Sequence, residues 1–130
     1  MFLVDTNIIS ELARPQPNPG VAQWAETANS VALSVITVEE IYFGLSWKPN
    51  PRIQSWFDAF LDQYCEVLPI TPEIAKGSAR MRGRLQSKGL PRSQADMLIA
   101  ATAEHHQLTL LTRNVRDFDD CGLAIQNPFI

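Results

Sequence analysis

Short apolar runs alternate along this chain with longer segments whose apolar residues recur at helical spacing, and that alternation leaves few folds open. Phe2-Leu3-Val4, Val31-Ala32-Leu33, Val67-Leu68 and Leu108 to Leu111 are too brief to be helices, and Leu123 to Ile125 is a candidate fifth run. Between them lie Ile8, Ile9 and Leu12, then Val21, Trp24, Ala25 and Ala28, then a segment from Thr37 carrying Ile41, Phe43 and Leu45. Ile53, Trp56, Phe57, Phe60, Leu61 and Tyr64 trace a strongly amphipathic helix. Pro72 suits the first position of a helix reaching about Ser87, with Gly89 as its terminator, and Ser93 to His106 forms another. Strands that are apolar throughout are buried on both faces, and helices between them imply parallel connections. The expectation is an α/β fold in which a central, mostly parallel sheet is flanked by helices (an α/β/α sandwich), as one domain over residues 1–130. Asp5 or Thr6 is expected to cap the first helix, and Gly44 to mark close packing of the third.

A net charge of −3 gives no bulk attraction to nucleic acid, so any phosphate-binding role needs a local basic patch. Two cysteines, Cys65 and Cys121, supply neither a disulfide framework nor a zinc site, and are expected to be small buried or half-buried thiols. No basic start leads into a long apolar run, which points to a cytoplasmic protein with no membrane partner.

The chemistry concentrates in acids at strand ends. Ligands of open α/β sheets bind beyond the carboxyl ends of the strands. Asp5 follows the first strand directly, Glu40 lies a turn into the helix after the second, and Asp117 falls just past Thr112-Arg113-Asn114 at the end of the fourth. Asp96 stands among Met97, Leu98, Ile99 and Ala100 on an otherwise apolar helix, where an isolated Asp would ordinarily cap or oppose the helix dipole. Glu39 and Glu40 cannot share a helix face, so one of them points away. Carboxylates gathered at about 4–5 Å repel by several kcal/mol at an effective dielectric near about 20. Such a cluster needs a cation or protons to persist. Oxygen donors without thiolate or imidazole favour Mg²⁺, with Mn²⁺ as a substitute, and metals held this way suit phosphoryl chemistry.

Four segments in order carry a resemblance: Val4-Asp5-Thr6-Asn7; Thr37-Val38-Glu39-Glu40-Ile41-Tyr42-Phe43-Gly44; Asp96 to Ala103; and Leu111-Thr112-Arg113-Asn114-Val115-Arg116-Asp117-Phe118, with Asn127-Pro128-Phe129 closing the chain. Across its whole length the chain resembles PIN-domain ribonucleases, specifically VapC-type toxins of toxin–antitoxin pairs. The resemblance implies a Mg²⁺-dependent endoribonuclease that cleaves RNA needed for translation. It further implies a homodimer, a cognate VapB-type antitoxin, and contact with operator DNA only through that antitoxin. It assigns Asp5, Glu40, Asp96 and Asp117 as catalytic acids. Asp5 and Asp96 are implied to hold the metal, and Glu40 and Asp117 to assist directly or through water. Thr6, Thr112 and Asn114 are supporting residues. Asn114 stands where many members carry an acid, which leaves Asn114, Asp117 and Asp119 open as the residue completing the site.

Arg113 and Arg116 are candidate phosphate contacts, and Arg92 also flanks the acidic motifs. Lys76, Arg80, Arg84 and Lys88 form a basic stripe opposite Ile74, Ser78, Met81 and Leu85. Trp47, Trp56, Phe57, Phe60 and Tyr64 read as core, dimer surface or a groove for an antitoxin helix before they read as a base-stacking platform. His105 and His106 suit a helix C-terminus better than a metal. A haloacid-dehalogenase-like site would need a second Asp where the chain has Asn7. The rival from another class is a catalytically weak binding module that acts with an antitoxin as a DNA co-repressor.

Overall fold

A computed structural model describes residues 1–130. Five strands, β1 (Phe2–Val4), β2 (Val31–Ser34), β3 (Cys65–Leu68), β4 (Thr109–Leu111) and β5 (Ile125–Gln126), form one sheet in the order β3-β2-β1-β4-β5. Every pairing is parallel, where a mostly parallel sheet was expected. The helices are α1 (Thr6–Leu12), α2 (Pro19–Thr27), α3 (Val35–Trp47), α4 (Pro51–Tyr64), α5 (Pro72–Ser87) and α6 (Gln94–His106), and a 3-10 stretch covers Val115–Cys121.

Side chains of a strand alternate between faces, and in the central strands β1, β2 and β4 both faces are buried, whereas the edge strand β3 exposes Glu66 and Val67. Leu3, Ala32 and Leu110 point into one core with Met81 and Leu85 of α5, Met97 and Ala100 of α6, and Phe118. Val4, Val31, Leu33 and Leu111 point into the other, with Ile8 of α1, Val21 and Trp24 of α2 and Phe57 of α4. That two-sided burial is why the strands read as unbroken apolar runs.

The local signals account for most boundaries. Asp5 is the N-cap of α1, accepting from the backbone N–H of Thr6, which resolves the choice between the two. Asn50 and Thr71 cap α4 and α5, each followed by a proline at the first helical position. Gly89, at a φ of +77°, closes α5 as expected. The third helix begins at Val35 rather than Thr37, because Ser34 accepts from the Ile36 N–H and starts it earlier. The fifth strand is shifted to Ile125–Gln126 by Gly122, whose φ of +73° ends the 3-10 stretch.

Gly44 does not pack closely against anything: a Cβ there would meet open space. The glycine under steric constraint is Gly20. A side chain on it would collide with the Pro128 carbonyl oxygen, where the C-terminal tail crosses the start of α2. Asn18 pins the same crossing, donating to the Ile130 carbonyl at 3.0 Å and accepting from its N–H at 3.2 Å.

The strand order reverses beside β1. The chain builds outward through β2 and β3, then returns to lay β4 on the opposite side of β1. The crevice beyond the carboxyl ends of β1 and β4 is therefore the switch point of the sheet, where such folds bind ligands. No helix is long and apolar enough to cross a membrane.

Candidate active site

Asp5 sits at that switch point, 5% exposed, and its carboxylate is held by three donors. The Thr6 N–H reaches Oδ1 at 2.8 Å; Thr112 Oγ and Asn7 Nδ2 reach Oδ2 at 2.8 and 3.1 Å. Thr112, fully buried at the end of β4, also accepts from the Asn114 N–H at 3.0 Å. Asn7 closes the circuit by accepting from the Arg113 N–H at 3.0 Å. A carboxylate has roughly four lone-pair positions, so three donors fix the group while leaving Oδ1 capacity to bind a further partner.

Glu40 reaches the site from α3, the helix that follows the neighbouring strand β2. Its Oε1 accepts from Thr6 Oγ at 2.7 Å, which ties α3 to the first turn of α1. Glu39 is exposed on the other side of the helix, so the choice between the two adjacent acids falls to Glu40. One turn earlier, the fully buried Thr37 hydroxyl has no hydrogen-bond partner.

Asp96 occupies the third position of α6. Capping is done by Ser93, whose Oγ accepts from the Asp96 N–H at 3.0 Å, so the ordinary role of an isolated Asp is already filled. Burial pushes the Asp96 carboxyl above its usual range. A hydrogen bond from Ser93 opposes this, while the charges of Asp5, Asp117 and Glu40 push it further up. That electrostatic signature joins four carboxylates from four elements into one field. Asp117, exposed on the 3-10 stretch, contributes to it, and Asp119 is exposed on the same stretch.

As the side chains lie, no three of these groups form a closed cage around one point. The hydrogen bonds explain the spacing. Asp5 is turned onto Thr112 and Asn7, and Glu40 onto Thr6. The donor set nevertheless fits a divalent cation in kind: hard oxygens only, convergent enough to repel, with one acid already resisting ionisation.

The basic residues divide. Arg113 is exposed, its guanidinium 4.6 Å above the Phe129 ring, beside an open polar pocket that it shares with Glu11, Arg14 and Asn18. Arg116 is exposed beside Asp117. Arg92 is occupied elsewhere: it donates to main-chain carbonyls of the 3-10 stretch and pairs with Asp120 at 3.7 Å. On the α5 stripe Lys76, Arg80 and Lys88 are exposed, and Arg84 is drawn off to the Asp120 carbonyl.

Among the aromatics, Phe57 is core. Trp56, Phe60 and Tyr64 line a largely apolar groove of about 370 Å³ with Leu12 and Trp24, and the buried Trp24 indole N–H has no partner. Trp47 and Phe43 stand out from α3 at 70% and 66% exposure. His105 and His106 pack edge to face at the exposed end of α6. Burial raises both thiols, Cys65 to about 12, which agrees with inert cysteines.

Asn7 is a hydrogen-bond partner of Asp5 beyond the residues expected to support the site. Its place two residues past the strand-end acid, within reach of the same carboxylate, was the available signal.

A family model described as PIN domain matches residues 2–122. The toxin FitB of Neisseria gonorrhoeae is 35% identical, with 99% of both chains aligned. A VapC ribonuclease of Sinorhizobium fredii is 33% identical over 99% of this chain and 98% of its own. Among solved structures, VapBC2 from Rickettsia felis, bound to a DNA fragment from its promoter, superposes with a TM-score of 0.84 at 27% identity, covering 97% of each chain.

Proposed function

The chain belongs to the PIN-domain family as a VapC-type toxin, and from that premise we propose a Mg²⁺-dependent endoribonuclease that cleaves RNA needed for translation. The observation carrying the reading is the switch point between β1 and β4, where Thr112, Asn7 and the Thr6 N–H hold the Asp5 carboxylate and Thr6 Oγ brings Glu40 to it, while the charges of Asp5, Asp117 and Glu40 push the Asp96 carboxyl up.

In this account Asp5 and Asp96 hold the cation, with Glu40 and Asp117 assisting directly or through water. Bound there, the ion would lower the pKa of a coordinated water and offset charge developing on the scissile phosphate. The protein's own part is positioning. Thr112, Asn7 and the Thr6 N–H fix the Asp5 carboxylate, and Thr6 Oγ aims Glu40. Asn114 holds Thr112 in place through its N–H. Arg113 and Arg116 reach outward to hold flanking phosphates of the RNA.

The partner of such a toxin is a VapB-type antitoxin. The groove between α2 and α4, apolar and open, suits the apolar face of an antitoxin helix. Phe43 and Trp47 give α3 an exposed apolar face suited to a homodimer contact. A cytoplasmic location follows from an RNA substrate needed for translation.

The second reading, a catalytically weak module acting with the antitoxin as a co-repressor, draws on the promoter-bound relative from Rickettsia felis. Contact with operator DNA would come through the antitoxin. The deciding experiment incubates the purified protein with separated bacterial tRNA, ribosomal RNA and mRNA in Mg²⁺. Discrete fragments from one class support the nuclease; intact RNA in all three, from protein that still binds antitoxin and operator, favours the co-repressor.

A further inference from the structure

Arg92 lies in the link between α5 and α6, one residue before the Ser93 cap of the helix that carries Asp96. Only 16% of its side chain is exposed. Its Nε donates to the carbonyl oxygen of Asp117 at 3.0 Å, its Nη2 to that of Arg116 at 3.4 Å, and its Nη1 to that of Pro91 at 3.3 Å. The same guanidinium stands 3.7 Å from Asp120 Oδ2.

These contacts join two elements that also meet in the core, through Phe118 and through Cys121 beside Met97, and they add a hold on the main chain of Asp117 itself. Asp96 is on α6; Asp117 is an exposed residue of a 3-10 stretch that buries Phe118 and Cys121 and kinks at Asp120. A lysine has one point charge to offer, whereas a guanidinium presents a rigid fork that can meet two neighbouring carbonyls together. A residue free to bind substrate phosphate would keep its donors toward solvent, as Arg113 and Arg116 do. Arg92 turns its donors inward.

We propose that Arg92 is a positioning residue of the acidic site, clamping the Asp117 main chain to the start of α6 so that the Asp117 and Asp96 carboxylates stay within reach of one cation. The inference rests on the metal-site reading above. Groups that orient metal-holding side chains, rather than touching the ion, change metal affinity or activity by about 10- to 100-fold when removed.

The test is Mn²⁺ binding, followed by the loss of the free-ion paramagnetic resonance signal, beside single-turnover cleavage of an RNA the wild type cuts. Arg92→Ala is compared with Arg92→Lys, Arg92→Gln, Asp117→Asn and the Arg92→Ala/Asp117→Asn double variant. Arg82→Ala, on the exposed side of α5, controls for loss of positive charge. Arg92→Ala should weaken Mn²⁺ binding by about tenfold or more and slow cleavage, with KM for RNA unchanged. Arg92→Lys should recover part of the affinity through one retained donor. In the Asp117→Asn background the Arg92 effect should vanish, because Arg92 acts through that residue.

If Arg92→Ala proves unfolded in thermal melts, Arg92→Gln and Arg92→Lys carry the same comparison. A higher KM with unaltered Mn²⁺ affinity would overturn the proposal and make Arg92 a phosphate contact. An undiminished effect in the Asp117→Asn background would overturn it as well. In both cases a wild type that binds Mn²⁺ and cleaves RNA leaves the metal-nuclease reading standing. A wild type that does neither removes that reading and this one together.

Discussion

The Thr112 hydroxyl donates to Asp5 Oδ2 at 2.8 Å across 107 residues of sequence, and both side chains are buried. The bond joins the ends of β1 and β4, the two strands between which the sheet changes direction. Removing it leaves Oδ2 with Asn7 alone. Thr112→Val keeps the shape and deletes the donor, so it should lower stability by about 1–3 kcal/mol. It should also slow cleavage by about 10- to 100-fold, as loss of an orienting partner does. Thr112→Ser should stay near wild type. Urea unfolding and cleavage rates of the two variants check both expectations.

Asp96 gives a pH signature of opposite sign to the usual carboxylate. Its folded-state pKa lies above the ordinary value of 3.8, first through burial and then through Asp5, Asp117 and Glu40. Between 3.8 and that raised value the folded state binds more protons than the unfolded one. Stability therefore falls as pH rises through this window and stays lower above it. Without divalent cations, Asp96→Asn should melt at a higher temperature than wild type at pH 7 and lose this part of the pH dependence. Adding Mn²⁺ should raise the wild-type melting temperature and leave that of Asp96→Asn nearly unmoved. Scanning calorimetry from pH 4 to 7, with and without Mn²⁺, measures both.

Thr6 holds Glu40 by a side-chain bond of 2.7 Å while its N–H holds Asp5. Thr6→Val removes the first contact and keeps the second. Glu40 is then free to swing, and cleavage should slow by about tenfold or more, with little change in RNA affinity. Thr6→Ser should restore the rate. A drop in RNA affinity of the same size would instead make Thr6 a substrate contact.

Arg113 and Arg116 should matter for binding more than for chemistry. The double substitution Arg113→Ala/Arg116→Ala should raise KM for RNA and flatten its salt dependence, because fewer phosphates are neutralised. Unchanged cleavage and affinity would remove both residues from the substrate surface.

How much of this was legible beforehand follows from the range of each interaction. The layers were readable because two-sided burial makes a strand continuously apolar, as in Leu3-Val4 and Leu110-Leu111. Asp5 and Asp96 stood out because each breaks a local pattern, a polar residue ending an apolar strand and a charge on an apolar helix, whereas Glu40 was set apart from Glu39 by the family resemblance. Boundaries set by small capping side chains were less visible, and Ser34 started α3 two residues before the point expected. Gly44 was misread because a glycine inside a helix does not say whether space or contact surrounds it, and here it is space. The task of Arg92 was hidden for a different reason. Its partners are main-chain carbonyls, which leave no mark on composition or spacing.

The central claim is that these four acids form one metal-dependent cleavage site. The most direct measurement is cleavage of total bacterial RNA by the purified, antitoxin-free protein in Mg²⁺ or in EDTA, beside Asp5→Asn and Asp96→Asn variants shown to be folded. The account predicts discrete fragments in Mg²⁺ with the wild type, and intact RNA in EDTA and with both variants. Fragments that persist in EDTA, or that survive either substitution at the wild-type rate, would contradict it.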